Sequence, residues 1–279
     1  MRFALCITNA RIGHLVVASV LISGVGSACA DTTSDAAYTA TGNIAVTSDY
    51  VFRGLTQTWR GIAVQGGGDL ALKDGFALGF WGSGISDKTY PGAALELDLY
   101  ASYGATINDD WSWRAGLYSY LYPKGNLDNV GLAARSFNTL EANGALTWKW
   151  LTLKYSRALT DYFGIDTEQG YRSDSKGTGY LQLDATIPLN DLWSLALHAA
   201  RTDITTELAV PLANGAKNPD YADFGATVKY QFATHWSASL GATYANDKAF
   251  YGRTTSFQNP NDIRNVGGSR GFVMLQGTF

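Results

Sequence analysis

Cysteine is almost missing from these 279 residues: there are two, Cys6 and Cys29, both within the first thirty. Beyond them, a disulfide scaffold, a Cys-ligated metal and a Cys nucleophile are excluded. Histidine is scarce too, at His14, His198 and His235, so no His/Cys cluster suggests a transition metal and no cofactor is expected. Charged residues make up 16% of the chain, against about 25% in a typical soluble protein. There is no basic stripe of the kind a nucleic-acid binder carries, and no Gly-rich phosphate loop. Past residue 30 no apolar run reaches the length of a helical membrane span.

What the chain does have is aromatics, at 13%, with 16 Tyr, 12 Phe and 8 Trp, and 31 Gly. Such a composition argues against disorder. The first thirty residues form a separate unit. Arg2 and Arg11 give a positive start, Leu15–Ile22 an apolar centre, and Ala28-Cys29-Ala30 a small-x-small cleavage motif. This is the layout of a secretory signal peptide. Cleavage would take Arg2 and Arg11 from 21 basic residues and none of the 24 acidic ones, leaving 19 against 24, net −5. The expected organisation is a leader at 1–30, a short N-terminal periplasmic segment at 31–41, and one barrel domain at 42–279.

After the leader, apolar and polar residues alternate with a period of two, the signature of strands with two unlike faces. Leu95, Leu97, Leu99, Ala101 and Tyr103 oppose Glu96, Asp98, Tyr100 and Ser102. Twelve such segments are predicted, at 42–53, 60–72, 76–85, 93–106, 111–122, 137–147, 150–160, 179–187, 192–202, 221–231, 236–246 and 270–279. Most approach the roughly 9–11 residues of a tilted membrane-spanning strand. The connectors are short and long by turns. Lys73–Gly75, Ile107–Asp110, Lys149, Pro188–Asp191 and Phe232–His235 are short. The other set, at 54–59, 86–92, 123–136, 161–178, 203–220 and 247–269, is mostly longer and rich in Gly, Asn, Asp, Ser and Thr. This is the plan of an all-β, transmembrane, antiparallel outer-membrane β-barrel with short periplasmic turns and longer outer loops. Trp111, Trp113, Trp148, Trp150, Trp193 and Trp236 fall beside the short turns, where an interfacial girdle belongs. A secreted β-sandwich is the soluble alternative, since its strands alternate as well.

Residues Gly42 to Gly54 (Gly-Asn-Ile-Ala-Val-Thr-Ser-Asp-Tyr-Val-Phe-Arg-Gly) resemble the opening of the TorF-like porin family of Gram-negative bacteria, a conserved family of unknown function. Gln57-Thr58, Ala63–Gly67, Gly79–Ser83 and Glu96-Leu97-Asp98 continue the likeness. The resemblance implies an outer-membrane barrel with a pore and brings no catalytic residues. The closing strand ends on Phe279, which resembles the signal many outer-membrane barrels present to their assembly machinery.

With the apolar parity facing lipid, the other parity faces the lumen. The candidate pore-lining residues are Asp49, Arg53, Asp69, Glu96, Asp98, Arg114, Tyr118, Tyr120, Glu141, Lys154, Asp184, His198, Asp223 and Lys229. The acidic excess predicts a weak cation preference. Asp49 and Arg53 are expected on one face of the first strand, and Asp98 and Arg114 are expected to approach each other across a hairpin. Tyr118, Tyr120 and Tyr122 form a ladder that either guides a solute or fills space. The acidic loop at 161–178, with Asp161, Asp166, Glu168 and Asp174, is read as solvated rather than as a calcium site.

These features predict a porin or channel for small hydrophilic solutes or ions. The alternative is a closed structural or adhesive barrel. An enzyme is not expected. His198 falls on the lumen side and His235 in a short turn, neither placed for acyl transfer from lipid. Glu96 and Asp98 as a glycosidase pair would have no specificity on so charged a wall. The expected partners are outer-membrane lipid, lipopolysaccharide, the barrel-assembly machinery and small solutes, with no nucleic acid and a monomeric state.

Overall fold

The computed structural model describes residues 37–279, so the expected leader lies outside the described residues. Twelve strands form one wall: β1 (Tyr38–Thr47), β2 (Ala63–Leu72), β3 (Phe76–Gly84), β4 (Leu95–Thr106), β5 (Trp111–Leu121) and β6 (Thr139–Trp148). The second half contains β7 (Leu151–Ala158), β8 (Gly179–Pro188), β9 (Trp193–Asp203), β10 (Tyr221–Ala233), β11 (Trp236–Ala245) and β12 (Arg270–Thr278). Each pairs antiparallel with its chain neighbours, and β1 pairs with β12, closing a 12-stranded barrel. The seam runs from Asn43↔Thr278 to Thr47↔Met274. Gly42 and Phe279 extend it with reciprocal backbone bonds of 2.9 Å. Closure satisfies the backbone groups that an open edge would leave unpaired.

The period of two decides which side chain goes where. Ile44, Val46, Phe80, Leu99, Leu153 and Leu240 stand exposed on the outer surface. Their sequence neighbours Ala45, Trp81, Asp98, Lys154 and Gly241 point inward and are buried. Apolar outside and polar inside is the reverse of a water-soluble protein. Among the described residues no helix is long and apolar enough to cross a membrane, a statement that leaves crossing by strands open. The six tryptophans stand exposed around the short-turn rim. Trp111 lies 6.3 Å from Trp148, and Trp148 lies 6.4 Å from Trp150.

The first strand departs from expectation. It begins at Tyr38, so residues 38–41 belong to the wall rather than to an N-terminal segment, pairing Tyr38↔Leu72 through Thr41↔Asp69. It ends at Thr47, not at residue 53. The parity of Ile44 and Val46 continues at Tyr50 and Phe52, but side chains redirect the backbone. The Thr47 hydroxyl donates to the Asp49 carbonyl at 2.9 Å, and the Asp49 carboxylate accepts from the hydroxyls of Thr56 and Thr58. Arg53 (φ 47°) and Gly54 (φ 76°) then make a left-handed turn between the two-residue strands Val51–Phe52 and Leu55–Thr56. Trp59 and Arg60 also have positive φ, which delays β2 to Ala63. Residues 48–62 are thus a folded loop.

Glycines inside β2 leave room for bulky neighbours. A Cβ on Gly67 would sit 2.5 Å from the Phe80 carbonyl oxygen and 3.1 Å from Trp81, whereas one on Gly144 meets nothing within 4 Å. Gly67→Ala is therefore expected to destabilise the barrel by about 1–3 kcal/mol through overpacking, and Gly144→Ala to leave it unchanged. Urea unfolding of the refolded barrel measures both, and equal midpoints would contradict the packing described.

Candidate functional site

Loop 48–62 folds into the barrel and spans it. At one side Gly54 packs on the wall: a Cβ there would come within 2.6 Å of Asp223 Cβ on β10 and 3.0 Å of Ala245 Cβ on β11. At the other side Arg53 reaches β6, where its Nη1 and Nη2 donate to Glu141 Oε1 and Oε2 at 2.9 and 2.8 Å. Nη1 also donates to the Tyr162 hydroxyl at 3.0 Å. The guanidinium carbon stands 4.1 Å from the Tyr180 ring centroid, a cation–π distance. A buried guanidinium requires this much compensation, and the two-pronged carboxylate contact is the strongest form available.

The base of the loop is held separately. Asp49, besides the two threonines, accepts from Arg270 Nη1 on β12 at 3.4 Å. Above it, Trp59 and Lys88 donate to Asp262 Oδ2 at 3.1 and 2.6 Å, tying three loops together. The Lys88 hydrogen bond, then that from Trp59, holds the Asp262 carboxyl below its ordinary range. That tie is therefore complete at neutral pH and is lost only as pH falls through the depressed value.

The interior wall divides into distinct groups. On β4, Glu96 and Asp98 are fully buried. The Tyr50 and Tyr122 hydroxyls lie close to Glu96. Asp98 makes no hydrogen bond with any described residue. The tyrosine ladder is a packing surface. Tyr118 stacks on Tyr100 at 4.8 Å, Tyr120 meets Phe52 edge-on at 5.5 Å, and Tyr122 stacks on Tyr90 at 4.4 Å. On the opposite wall His198 joins two acids, with Nδ1 2.5 Å from Asp184 Oδ1 and Nε2 3.0 Å from Asp223 Oδ1. Lys154 lies within electrostatic reach of Arg53, Glu141 and Asp184. Lys229 is buried on the inward face of β10.

All the candidate residues therefore lie on the inner side of the barrel, with one correction: Asp49 and Arg53 sit on the inserted loop, not on a strand. A second correction concerns Asp98 and Arg114. The register sets Arg114 opposite Gly104 and Asp98 opposite Tyr120, too far along the hairpin to pair. Arg114 donates to Ser102 instead at 2.9 Å, and Asp69 accepts from Tyr100 at 2.8 Å. Arg270, Tyr180 and Tyr162 were not among the candidates. Tyr180 shares its parity with Gln182 and Asp184, so the signal was present. Arg270 shares its parity with Phe272 and Met274, which hide it, and Tyr162 lies in a loop without periodicity. Of the acids of 161–178, Arg135 pairs with Asp166 and, at 4.0 Å, with Asp161, while Glu168 and Asp174 are exposed. Asp166 also accepts from the Glu168 amide at 2.8 Å. Among the described residues no group of three or more His, Cys, Asp or Glu could hold a metal ion.

The wall and its polar interior define a porin-like barrel fold. The KdgM porin in complex with disordered oligogalacturonate is similar at 9% identity and TM-score 0.50, over 86% of this chain and 99% of that one. The NanC porin is similar at 10% identity and TM-score 0.48, over 86% and 98%. A comparison with curated proteins yields no match. The family model described as a bacterial protein of unknown function (Gcw_chp) matches residues 31–279, and the chain belongs to that family.

The Arg53–Glu141 pair predicts a specific coupling. Arg53→Met or Glu141→Leu alone strands a buried charge and should cost about 3–5 kcal/mol locally. The double variant should cost less than the sum of the two. Amide exchange across 48–62 reads this, and strictly additive effects would show that the two groups act independently.

Proposed function

We propose that this chain is an outer-membrane channel of the porin type for small hydrophilic solutes or ions, with a weak preference for cations. The carrying observation is the contrast between the two faces of one closed wall, apolar outside and charged inside. Hydrocarbon accepts a strand-built protein only when the sheet closes, and polar groups inside serve an aqueous path. The fold shared with the KdgM porin and the resemblance of residues 42–54 to the TorF-like porins support the same reading. Once Arg270 is added, seven inward acids face five permanent cations and His198. That excess favours cations and disfavours a polyanion such as the oligogalacturonate of the KdgM complex.

On this reading the long loops face outward and the short turns face the periplasm. A cleaved leader at 1–30, recognition of the strand ending in Phe279 by the assembly machinery, and a monomeric state belong to the same proposal. Loop 48–62 sets the aperture, since Tyr50, Phe52 and Arg53 occupy the lumen beneath the rim. The loop also favours a second reading, a closed structural or adhesive barrel in which the outer loops carry the function.

Planar-bilayer recording of the refolded chain in a salt gradient separates the two. Discrete steps with a cation-shifted reversal potential are expected. Arg53→Ala should enlarge the steps, and Asp69→Asn combined with Asp98→Asn should reduce the shift. Persistent silence from the unaltered chain and from Arg53→Ala, both shown to be folded and inserted, would overturn the channel reading.

A further inference from the structure

The outer face of the strands is almost free of charge. Only Arg157, Arg201 and Asp203 among the described strand residues carry a charge outward. All three sit at the long-loop ends of β7 and β9, with β8 between. Arg201 is compensated, pairing with Asp203 at 2.6 Å and Asp220 at 3.6 Å. Arg157 is exposed and has no ion pair or side-chain hydrogen bond with a described residue, and the same holds for the Lys176 side chain.

Lys176 directly precedes Gly177 in the chain. The Arg157 guanidinium lies over Gly177, whose added Cβ would stand 3.3 Å from Nη2. On the same strand face Tyr155 points its hydroxyl over Gly179, 2.8 Å from where a Cβ would be. Glycine at both positions leaves no side chain between the guanidinium and the phenol. Gly179 also separates Arg157 from Asp203 in the row they share. Beneath this polar group run Leu153, Leu181 and Leu183, all exposed.

We propose that Arg157, Lys176 and the Tyr155 hydroxyl bind the phosphate of a phosphorylated outer-leaflet lipid, whose acyl chains lie along Leu153, Leu181 and Leu183. A guanidinium matches two phosphate oxygens at once, and the apolar strip below it suits hydrocarbon. The inference rests on the proposed membrane placement but not on conduction.

The test uses the full chain refolded in uncharged detergent and titrated with diphosphoryl lipid A, with the same lipid dephosphorylated, and with inorganic phosphate. Bound lipid is counted by native mass spectrometry. Arg157→Gln and Lys176→Gln should each weaken diphosphoryl lipid A binding roughly fivefold, the value of one surface cation. Arg253→Gln, at an exposed loop position elsewhere, should leave it unchanged. Equal binding by all variants, no dependence on the lipid phosphates, or full competition by inorganic phosphate would overturn the proposal. Failure of the chain to insert into bilayers, with Arg157-dependent lipid binding intact, would instead refute the membrane placement.

Discussion

The interior of this barrel is organised by one ion pair, Arg53 with Glu141. A guanidinium taken out of water must find a carboxylate, and the only way for Arg53 to reach β6 is for loop 48–62 to enter the lumen. Its neighbours follow from that. Gly54 must be glycine because the loop passes against Asp223 and Ala245 with a left-handed backbone. Tyr180, which carries the guanidinium on its ring, directs its hydroxyl toward Asp223 at 3.3 Å. Asp223 in turn faces His198, and His198 faces Asp184. A chain of contacts thus runs from a loop tip through three strands of the wall.

The loop is not held by charge alone. Phe52 packs among Tyr120 and Phe163, and Tyr50 meets Trp81 edge-on at 5.4 Å. Aromatic packing fills space on the β3–β5 side, while the charged contacts anchor the β6–β10 side. Asp49 secures the loop where it leaves the wall, through two threonines and Arg270. A plug built in this way combines close packing with contacts that depend on ionisation and on competing ions.

The wall was legible in the sequence because strand alternation is a local property, repeated twelve times with turns of two lengths between. Leu95 to Tyr103 and Trp236 to Tyr244 show their two faces without any knowledge of their partners. The tryptophans beside the short turns were legible for the same reason. Loop 48–62 was not. Tyr50 and Phe52 continue the parity of Ile44 and Val46, and what breaks the strand is a set of side-chain bonds from Asp49 and Thr47 together with left-handed backbone at Arg53 and Gly54. The inward set could be read from parity, but its pairing could not. Arg53 meets Glu141 across 88 positions of sequence, and Arg114 misses Asp98 because register, not proximity in sequence, sets cross-strand neighbours.

On the proposed reading the inserted loop, not the wall, narrows the lumen. Because Thr47 already pairs with Ala63, residues 49–60 can be replaced by a short Gly-Ser turn with the β1–β2 hairpin kept. Single-channel conductance of that chain, beside the unaltered one, tests the claim most directly. A severalfold larger current through the shortened chain is expected. An unchanged current, from protein shown to be folded and inserted, would mean that the aperture is set elsewhere and would contradict it.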